Sequence, residues 1–207
     1  MFYSDGNPID VESVNNKRKQ EENKMTQSIQ KTSKFLSYVL RHRPDEIGIT
    51  LDAQGWVAIA DLLKNANAHG KQLTESSVLE AVRTSDKQRF AISSDGLQIR
   101  ANQGHSVKID LALPQTMPPT ILFHGTASRF IASIMVQGLI AGSRHHVHLS
   151  ATQDTARTVG ARHGMPVILE VKAKEMHEAG FPFFLSENGV WLTEAVPPQY
   201  LKRLSHE

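Results

Sequence analysis

Cysteine is absent from this chain of 207 residues, and so are long apolar runs. Without cysteine, the protein can form no disulfide, no thiolate metal site and no cysteine nucleophile. No apolar run approaches the roughly 18 residues of a membrane-spanning helix, and the N-terminus lacks the apolar core of a secretory signal. From these absences we expect a cytoplasmic protein with no membrane association.

Several signatures of nucleotide and hydrolase sites are missing as well. The chain has no Gly-x-Gly-x-x-Gly fingerprint, no phosphate-binding Walker loop and no Gly-x-Ser-x-Gly nucleophile motif. A large excess of charge is also missing, because the formal net charge is only +2 and no region is a basic block. Any affinity for nucleic acid must therefore come from a local cluster of cations.

The first 30 residues read as a polar N-terminal extension. Residues 15–22 (NNKRKQEE) carry almost no apolar side chain, a composition typical of a flexible or loosely helical segment. The basic triplet of residues 17–19 could contact RNA, but the composition favours a solvated extension.

Residues 31–112 are predicted to form a lobe of three helices and a hairpin. The first helix is predicted to begin near Thr32 and to end before Pro44. The second is predicted over 59–67, and the third follows Thr74, with one apolar face formed by Val78, Leu79 and Val82. A hairpin over 89–100 then turns at an Asp-Gly pair. This order is that of a winged-helix module, which commonly binds nucleic acid.

Prolines at 114, 118 and 119 mark a linker, after which short strands alternate with helices. Strands are predicted over 121–123, 147–149, 167–171 and 190–193, and helices over 128–137 and up to His163. Residues 113–207 therefore form a predicted second lobe, and the fold class is α+β.

Two clusters combine arginine with histidine. Arg41, His42 and Arg43 end the first predicted helix, where cations also favour the helix dipole, so spacing alone leaves a structural role open. In the second cluster, Arg144 precedes His145, His146 and His148. Guanidinium groups match phosphate oxygens in geometry, so the two clusters together suggest a site for a phosphorylated substrate.

The tripeptide His124, Gly125 and Thr126 is predicted to follow a strand directly, where the glycine lets a ligand approach the backbone. The histidines at 145, 146 and 148 raise the possibility of a metal. No Asp, Glu or Cys stands near them with zinc-like spacing, so we expect no metal site. On residue types alone, His105 is a structural histidine, and residues 186–189 form a turn before a strand.

Taken together, seven short motifs resemble the RNA 2′-phosphotransferase (KptA) family, in the family's order and across residues 31–195. Each motif is weak alone, and the ordered set is highly specific. The motifs are residues 33–42 (SKFLSYVLRH), 55–57 (GWV), 84–90 (TSDKQRF), 103–106 (QGHS), 123–126 (FHGT), 144–150 (RHHVHLS) and 188–193 (NGVWLT).

The resemblance implies a winged-helix RNA lobe followed by an NAD-binding lobe like that of ADP-ribosyltransferases. It implies that an internal 2′-phosphate of RNA attacks the nicotinamide ribose of NAD⁺ and is then transferred to that ribose. The products would be 2′-hydroxyl RNA, nicotinamide and ADP-ribose 1″,2″-cyclic phosphate, and the RNA would be of the tRNA splice-junction type. NAD⁺ would be consumed, no metal would be needed, and we expect a monomer.

The resemblance also assigns roles to single residues. The implied catalytic set is Arg41, His42, Arg89 and Arg144. The implied NAD-binding positions are His124, Gly125, Thr126, His148, Leu149, Ser150 and Val190. The implied substrate-binding residues are Lys87 and His105. Common ADP-ribosyltransferases carry a glutamate where this chain has Val190. A phosphate is already an anion, so its attack needs no such base.

Two other functions remain open at this point. One is an ADP-ribosyltransferase that stops after the first step and caps a terminal phosphate of RNA or DNA. The other is a winged-helix RNA binder without catalysis, which would leave the motifs around His124 and His148 unexplained.

Overall fold

The computed structural model describes residues 11–85 and 87–204, which form a mixed α+β structure of six α-helices and eleven strands. Residues 1–10 of the predicted extension, and Asp86 of the 84–90 motif, lie outside the described residues. Within these ranges, no helix combines the length and the apolar character needed to cross a membrane.

Helix α1 (Val11–Arg41) is far longer than the sequence pattern predicts. The predicted start near Thr32 is wrong, because Thr32 lies inside the helix with its side chain buried. The preceding stretch is rich in Lys, Gln and Glu, which favour helix without an apolar face, and Arg18 pairs with Glu22 one turn later. The end before Pro44 is confirmed, since Pro44 begins a separate 3₁₀ turn.

Two helices and one three-stranded sheet complete the first half of the chain. They are β1 (Val57–Ala58), α2 (Ile59–Ala68), α3 (Glu75–Arg83), β2 (Phe90–Ile92) and β3 (Gln98–Ala101). The strands pair antiparallel in the order β1-β3-β2. The predicted second and third helices and the hairpin are therefore confirmed.

The start of α3 also agrees with the sequence, because the Thr74 hydroxyl accepts a hydrogen bond from the backbone N–H of Ser77 at 3.2 Å. The predicted apolar face is wrong at Leu79, which is 39% exposed. The buried positions are Val78 and Ala81, because a residue one position further along the helix turns about 100° away from the core.

The second half contains three small sheets and three helices. Its elements are β4 (Leu122–Ala127), α4 (Ile131–Gln137), β5 (Leu139–Ile140), β6 (Val147–Leu149), α5 (Gln153–Gly160), β7 (Pro166–Val171), α6 (Ala173–Glu178), β8 (Phe184–Leu185), β9 (Trp191–Thr193), β10 (Ala195–Val196) and β11 (Leu201–Arg203). The sheets have the strand orders β11-β7-β4, β6-β9-β8 and β10-β5.

The tripeptide of residues 124–126 lies inside β4 rather than after a strand, so that expectation is wrong. The first predicted strand continues because β4 stays paired with β7, with His124 opposite Leu169 and Thr126 opposite Val167. The strand around residue 148 and the one that begins at Trp191 are confirmed, and they pair with each other.

The buried apolar residues fall into two clusters, one within residues 36–101 and one within residues 122–201. The predicted lobe boundary at residue 112 stays a prediction. Direct contacts join the two halves, because Arg100 forms an ion pair with Glu187 and the Asn188 side chain donates to the Lys87 carbonyl at 3.0 Å.

Candidate active site

The C-terminal end of α1 is held against the hairpin and against the loop that follows β3. Nη2 of Arg41 donates to the Arg89 carbonyl at 3.4 Å, and the Arg41 carbonyl accepts from the backbone N–H of Ser106 at 2.9 Å. Nδ1 of His42 lies 2.9 Å from the Ser106 hydroxyl. The loop can turn here because Gly104 has a φ of +86°. Three segments distant in sequence thus meet at Arg41 and His42.

The charges of two other guanidinium groups act on Arg41 at this point. Burial, together with the charges of Arg89 and Arg144, lowers the pKa of Arg41 to about 10. Nε of Arg41 is buried and has no hydrogen-bond partner among the described residues. Clustered cations in a partly buried site are unfavourable in isolation, and an anion would relieve both the repulsion and the missing hydrogen bond.

Three imidazoles near the arginines, those of His42, His105 and His148, have lowered pKa values and are neutral at physiological pH. Burial, with the charges of Arg41 and Arg144, lowers the pKa of His42. Burial, with Arg144 as the next contributor, lowers the pKa of His148 to about 3, and burial, with Arg41, does the same for His105. A neutral imidazole can both donate and accept a hydrogen bond, so these rings can bind hydroxyls or hold a proton in transit.

A hydrogen bond between His124 and His148 fixes the tautomer of the His124 ring. Nδ1 of His124 lies 3.1 Å from the His148 carbonyl. A carbonyl can only accept, so Nδ1 of this neutral ring donates and Nε2 is left as an acceptor. Nε2 of His148 is buried without a partner among the described residues. Nε2 of His124 is therefore an acceptor for a ligand hydroxyl or amide group on the groove wall.

A groove of about 370 Å³ runs past these two rings between β4, α4 and the segment before β6. Its polar walls include His124, Thr126, Arg144 and His148, and its apolar walls include Phe130. Arg144 and His148 both line this groove. The charge of Arg144 lowers the pKa of Arg41, and the charge of Arg41 helps to lower the pKa of His148. The groove therefore opens beside the arginine cluster.

Not every predicted NAD-binding residue lies on this groove. Leu149 is 1% exposed and belongs to the second core cluster. Ser150 pairs through its backbone with Phe123, and Val190 pairs through its backbone with Ser186, and neither residue is on the groove walls. Their predicted binding roles stay predictions that the groove geometry does not strengthen.

Gly125 lines the groove, and packing within the protein requires a glycine here. A Cβ at this position would lie 1.6 Å from the Ala156 carbonyl oxygen of α5. The helix therefore packs directly on the strand backbone, which fixes the floor of the groove.

The two predicted substrate residues differ in position. Lys87 is exposed next to Arg89, and its carbonyl accepts from Asn188 of the second half. His105 is 3% exposed and lines a small cavity of about 90 Å³ beside His146 and His148. His105 is therefore a buried residue of this small cavity, whereas Lys87 is exposed at the contact with the second half.

Sequence reasoning missed the contacts that orient the two halves. The guanidinium of Arg100 lies over the Trp56 ring, 4.5 Å from its centroid, and pairs with Glu187. These partners are far apart in sequence, and no local pattern could have linked them. Among the described residues, no group of three or more His, Asp or Glu side chains is placed to hold a metal ion.

Comparison with known proteins gives a consistent result. A family model described as "RNA 2'-phosphotransferase, Tpt1 / KptA family" matches residues 27–195. A protein of Acaryochloris marina is 53% identical over 176 residues, covering 85% of this chain and 97% of that protein. A protein of Agrobacterium fabrum is 57% identical over 170 residues, covering 82% and 91%. One of Escherichia coli O6:K15:H31 is 57% identical over 172 residues, covering 83% and 94%. All three are named "Probable RNA 2'-phosphotransferase".

Proposed function

The chain belongs to the RNA 2′-phosphotransferase (Tpt1/KptA) family, and on this basis we propose that it removes an internal 2′-phosphate from RNA in a reaction that consumes NAD⁺. The RNA would be of the type left at a tRNA splice junction. The observation that carries the proposal is the convergence of Arg41, Arg89 and Arg144 beside a groove that contains His124 and His148.

The proposed reaction has two balanced steps. In the first, an oxygen of the 2′-phosphate bonds to the anomeric carbon of the nicotinamide ribose, and nicotinamide leaves with the electrons of the broken C–N bond. In the second, the 2″-hydroxyl of that ribose bonds to phosphorus, and the bond from phosphorus to the RNA 2′-oxygen breaks. The hydroxyl proton ends on the RNA, which leaves with a free 2′-hydroxyl, and the other product is ADP-ribose 1″,2″-cyclic phosphate.

The residues present fit NAD⁺ as a co-substrate. Nε2 of His124 accepts, and the neutral His148 ring and the Thr126 hydroxyl offer further partners for ribose hydroxyls. Arg144 suits a phosphate, and Phe130 offers an apolar surface for a flat ring. The site needs no glutamate at the position of Val190, because the 2′-phosphate is already an anionic nucleophile.

The arginine cluster has its largest role in the second step. Negative charge then concentrates on the phosphate oxygens, and preorganised guanidinium groups stabilise such charge most strongly where water is partly excluded. His42 is neutral and stands beside Arg41. It is the member of the set that can carry the proton from the ribose hydroxyl to the departing oxygen.

The proposal extends to the architecture. Residues 31–112, with helices followed by an antiparallel hairpin, support a winged-helix RNA lobe. Residues 113–207 contain the groove lined by His124 and His148, which we call the histidine groove, and they support an ADP-ribosyltransferase-like NAD lobe.

The direct test is to incubate the protein with an RNA that carries an internal 2′-phosphate, with and without NAD⁺. We expect one nicotinamide released for each phosphate removed, no reaction without NAD⁺, and full activity in EDTA. Phosphate removal without NAD⁺, or inactivation by EDTA that zinc reverses, would contradict the proposal. An ADP-ribosyl group retained on a terminal phosphate would indicate the capping reaction instead.

A further inference from the structure

A second groove, of about 750 Å³, leads away from the arginine cluster along α1. One wall is the face of α1 from Thr26 to Arg41, and the other is the end of α3 with the turn that follows it. Arg41 and Arg89 line one end of this groove. It therefore connects directly to the place where the 2′-phosphate would bind.

The groove walls consist mainly of uncharged polar and cationic side chains. Four polar side chains of α1 recur at helical spacing on the groove face, namely Gln30, Ser33, Lys34 and Ser37. On the opposite wall, the hydroxyl groups of Thr84 and Ser85 follow the end of α3. Among the described residues, no acidic side chain lines the groove. Hydroxyl, amide and cationic side chains are those that contact nucleic-acid phosphate and sugar groups.

The groove walls contain few apolar side chains, which argues against a protein partner. The apolar wall residues are Ile29 and Ala81, and both belong to the packing of the first core cluster rather than to a free patch. An interface with a folded protein would need an exposed apolar or aromatic centre.

The length of the groove suits a strand rather than a single nucleotide. From Arg41 back to Thr26, α1 rises about 22 Å, and Lys34 lies about 10 Å from Arg41 along the axis. We propose that this groove binds the RNA strand that flanks the phosphorylated nucleotide, through its phosphodiester backbone, with Lys34 as a phosphate contact. The proposal rests on the proposed function, because it assigns the groove to the same RNA.

The test compares Lys34→Glu with Lys31→Glu. Both lysines are exposed on α1 and both variants change the net charge equally, but Lys31 does not line the groove. Binding without NAD⁺ is measured by fluorescence anisotropy for two probes. One is a 2′-phosphorylated strand of about ten nucleotides, within the site sizes of single-strand binders, and the other is a 2′-phosphorylated dinucleotide.

We expect Lys34→Glu to weaken binding of the strand by about tenfold and binding of the dinucleotide by less than about twofold. Lys31→Glu is expected to change the affinity for either probe by less than about twofold. Equal effects of the two variants on the strand, or equal effects of Lys34→Glu on the two probes, would overturn the groove assignment.

Turnover with NAD⁺, measured on the same preparations, separates this inference from the proposed function. Binding that depends on Lys34 without any turnover by the wild type would contradict the proposed function and leave the groove assigned. Wild-type turnover, together with strand binding that is unchanged in Lys34→Glu, would support the proposed function and contradict the assignment of this groove to RNA.

Discussion

Arg41 combines burial with the proximity of two other cations. Its pKa falls to about 10, yet it remains charged at physiological pH, and no described carboxylate forms an ion pair with it. Its Nε is buried without a partner. Such a residue is costly in the folded protein unless an anion binds, so the arginine cluster favours an anionic ligand.

Truncating this residue or its neighbour is expected to abolish phosphate removal. Arg41→Ala and His42→Ala should each lower kcat by about a hundredfold or more, because the first would lose the proposed contact to the reacting phosphate and the second the proposed proton carrier. Circular dichroism checks that the fold is intact, and kcat is measured at saturating RNA and NAD⁺.

Arg43→Ala is the matched control, since Arg43 is exposed and paired with Asp45 on the other side of the helix end. It should keep near-wild-type kcat. Near-wild-type turnover in the two test variants would contradict the assignment of Arg41 and His42.

His105 makes stability depend on pH. Its ring is buried and its pKa falls from an ordinary 6.5 to about 3, mainly through burial and then through Arg41. Below about pH 6.5 the unfolded chain takes up a proton that the folded protein does not, so the free energy of unfolding falls as pH falls towards 3. For this one group the loss at about pH 5 is about 2 kcal/mol.

Urea unfolding at about pH 7 and about pH 5 checks this expectation. The difference in the free energy of unfolding between the two pH values should be smaller in His105→Asn than in the wild type by about that amount. The same difference in both proteins would show that His105 titrates normally.

At the scale of elements, the contact between β4 and α5 forms the floor of the histidine groove. Gly125→Ala would place a methyl group against the Ala156 carbonyl oxygen. β4 cannot move without losing its pairing with β7, and α5 cannot move without losing its packing on both strands, so we expect a loss of at least about 3 kcal/mol in the free energy of unfolding.

Gly180→Ala is the control, because it strains the backbone without placing the new methyl group against another atom. A Cβ there meets nothing within 4 Å, although the φ of +92° is unfavourable. It should cost only about 1 kcal/mol. If Gly125→Ala were no less stable than Gly180→Ala, the close packing of α5 on β4 would be refuted.

The turn before β9 holds the two halves of the chain together through Glu187. Glu187→Gln should lower the free energy of unfolding by about 1 kcal/mol, because Arg100 is buried and loses its charged partner while Glu187 remains half exposed. Its kcat should change little, because the carboxylate binds Arg100 rather than substrate.

Glu178→Gln serves as the control, since it breaks a surface pair with Lys174 and should leave both stability and kcat near wild type. A loss of kcat in Glu187→Gln of about a thousandfold, with the fold preserved, would instead identify Glu187 as a displaced catalytic carboxylate.

Local patterns predict the elements that carry a periodic apolar face or a specific turn. The second and third helices, the Asp-Gly hairpin and the strand around His148 are of this kind. The sequence does not predict the early start of α1, because charged helix-forming residues produce no periodic pattern of apolar side chains. The pattern assigns Leu79 to the buried face of α3 because Leu79 is next to Val78, although its side chain is exposed. The extension of β4 through residues 124–126 was missed because glycine normally weakens a strand, and only the packing of α5 explains it.

At the scale of the whole molecule, the candidate site is assembled from segments that no local pattern connects. Composition and spacing identified the arginine and histidine clusters but left a helix-dipole role open for the first. The resemblance to a family supplied the grouping of Arg41, Arg89 and Arg144, whose charges the structure brings together. Contacts such as Arg100 with Glu187 depend on how the two halves pack, which the sequence does not encode in any local period.

Lys87 and Arg89 lie together on the first half, close to the Asn188 turn of the second. In the proposed reaction, the first step would move positive charge onto the ribose and the second would build negative charge around phosphorus, so loss of these cations should slow the second step more. The double variant Lys87→Ala, Arg89→Ala is expected to accumulate RNA with an ADP-ribosylated 2′-phosphate in a single turnover. RNA binding is measured in parallel, and equal loss of both steps without any such species would contradict this division of roles.

The most direct measurement follows labelled phosphorus from the 2′-phosphate of an RNA through one turnover of the wild-type protein with NAD⁺. The proposed function predicts that all of the label leaves the RNA and appears in ADP-ribose 1″,2″-cyclic phosphate, with one nicotinamide released per label transferred. Label released as inorganic phosphate, or label that stays on the RNA beneath an ADP-ribosyl group as the final product, would contradict it.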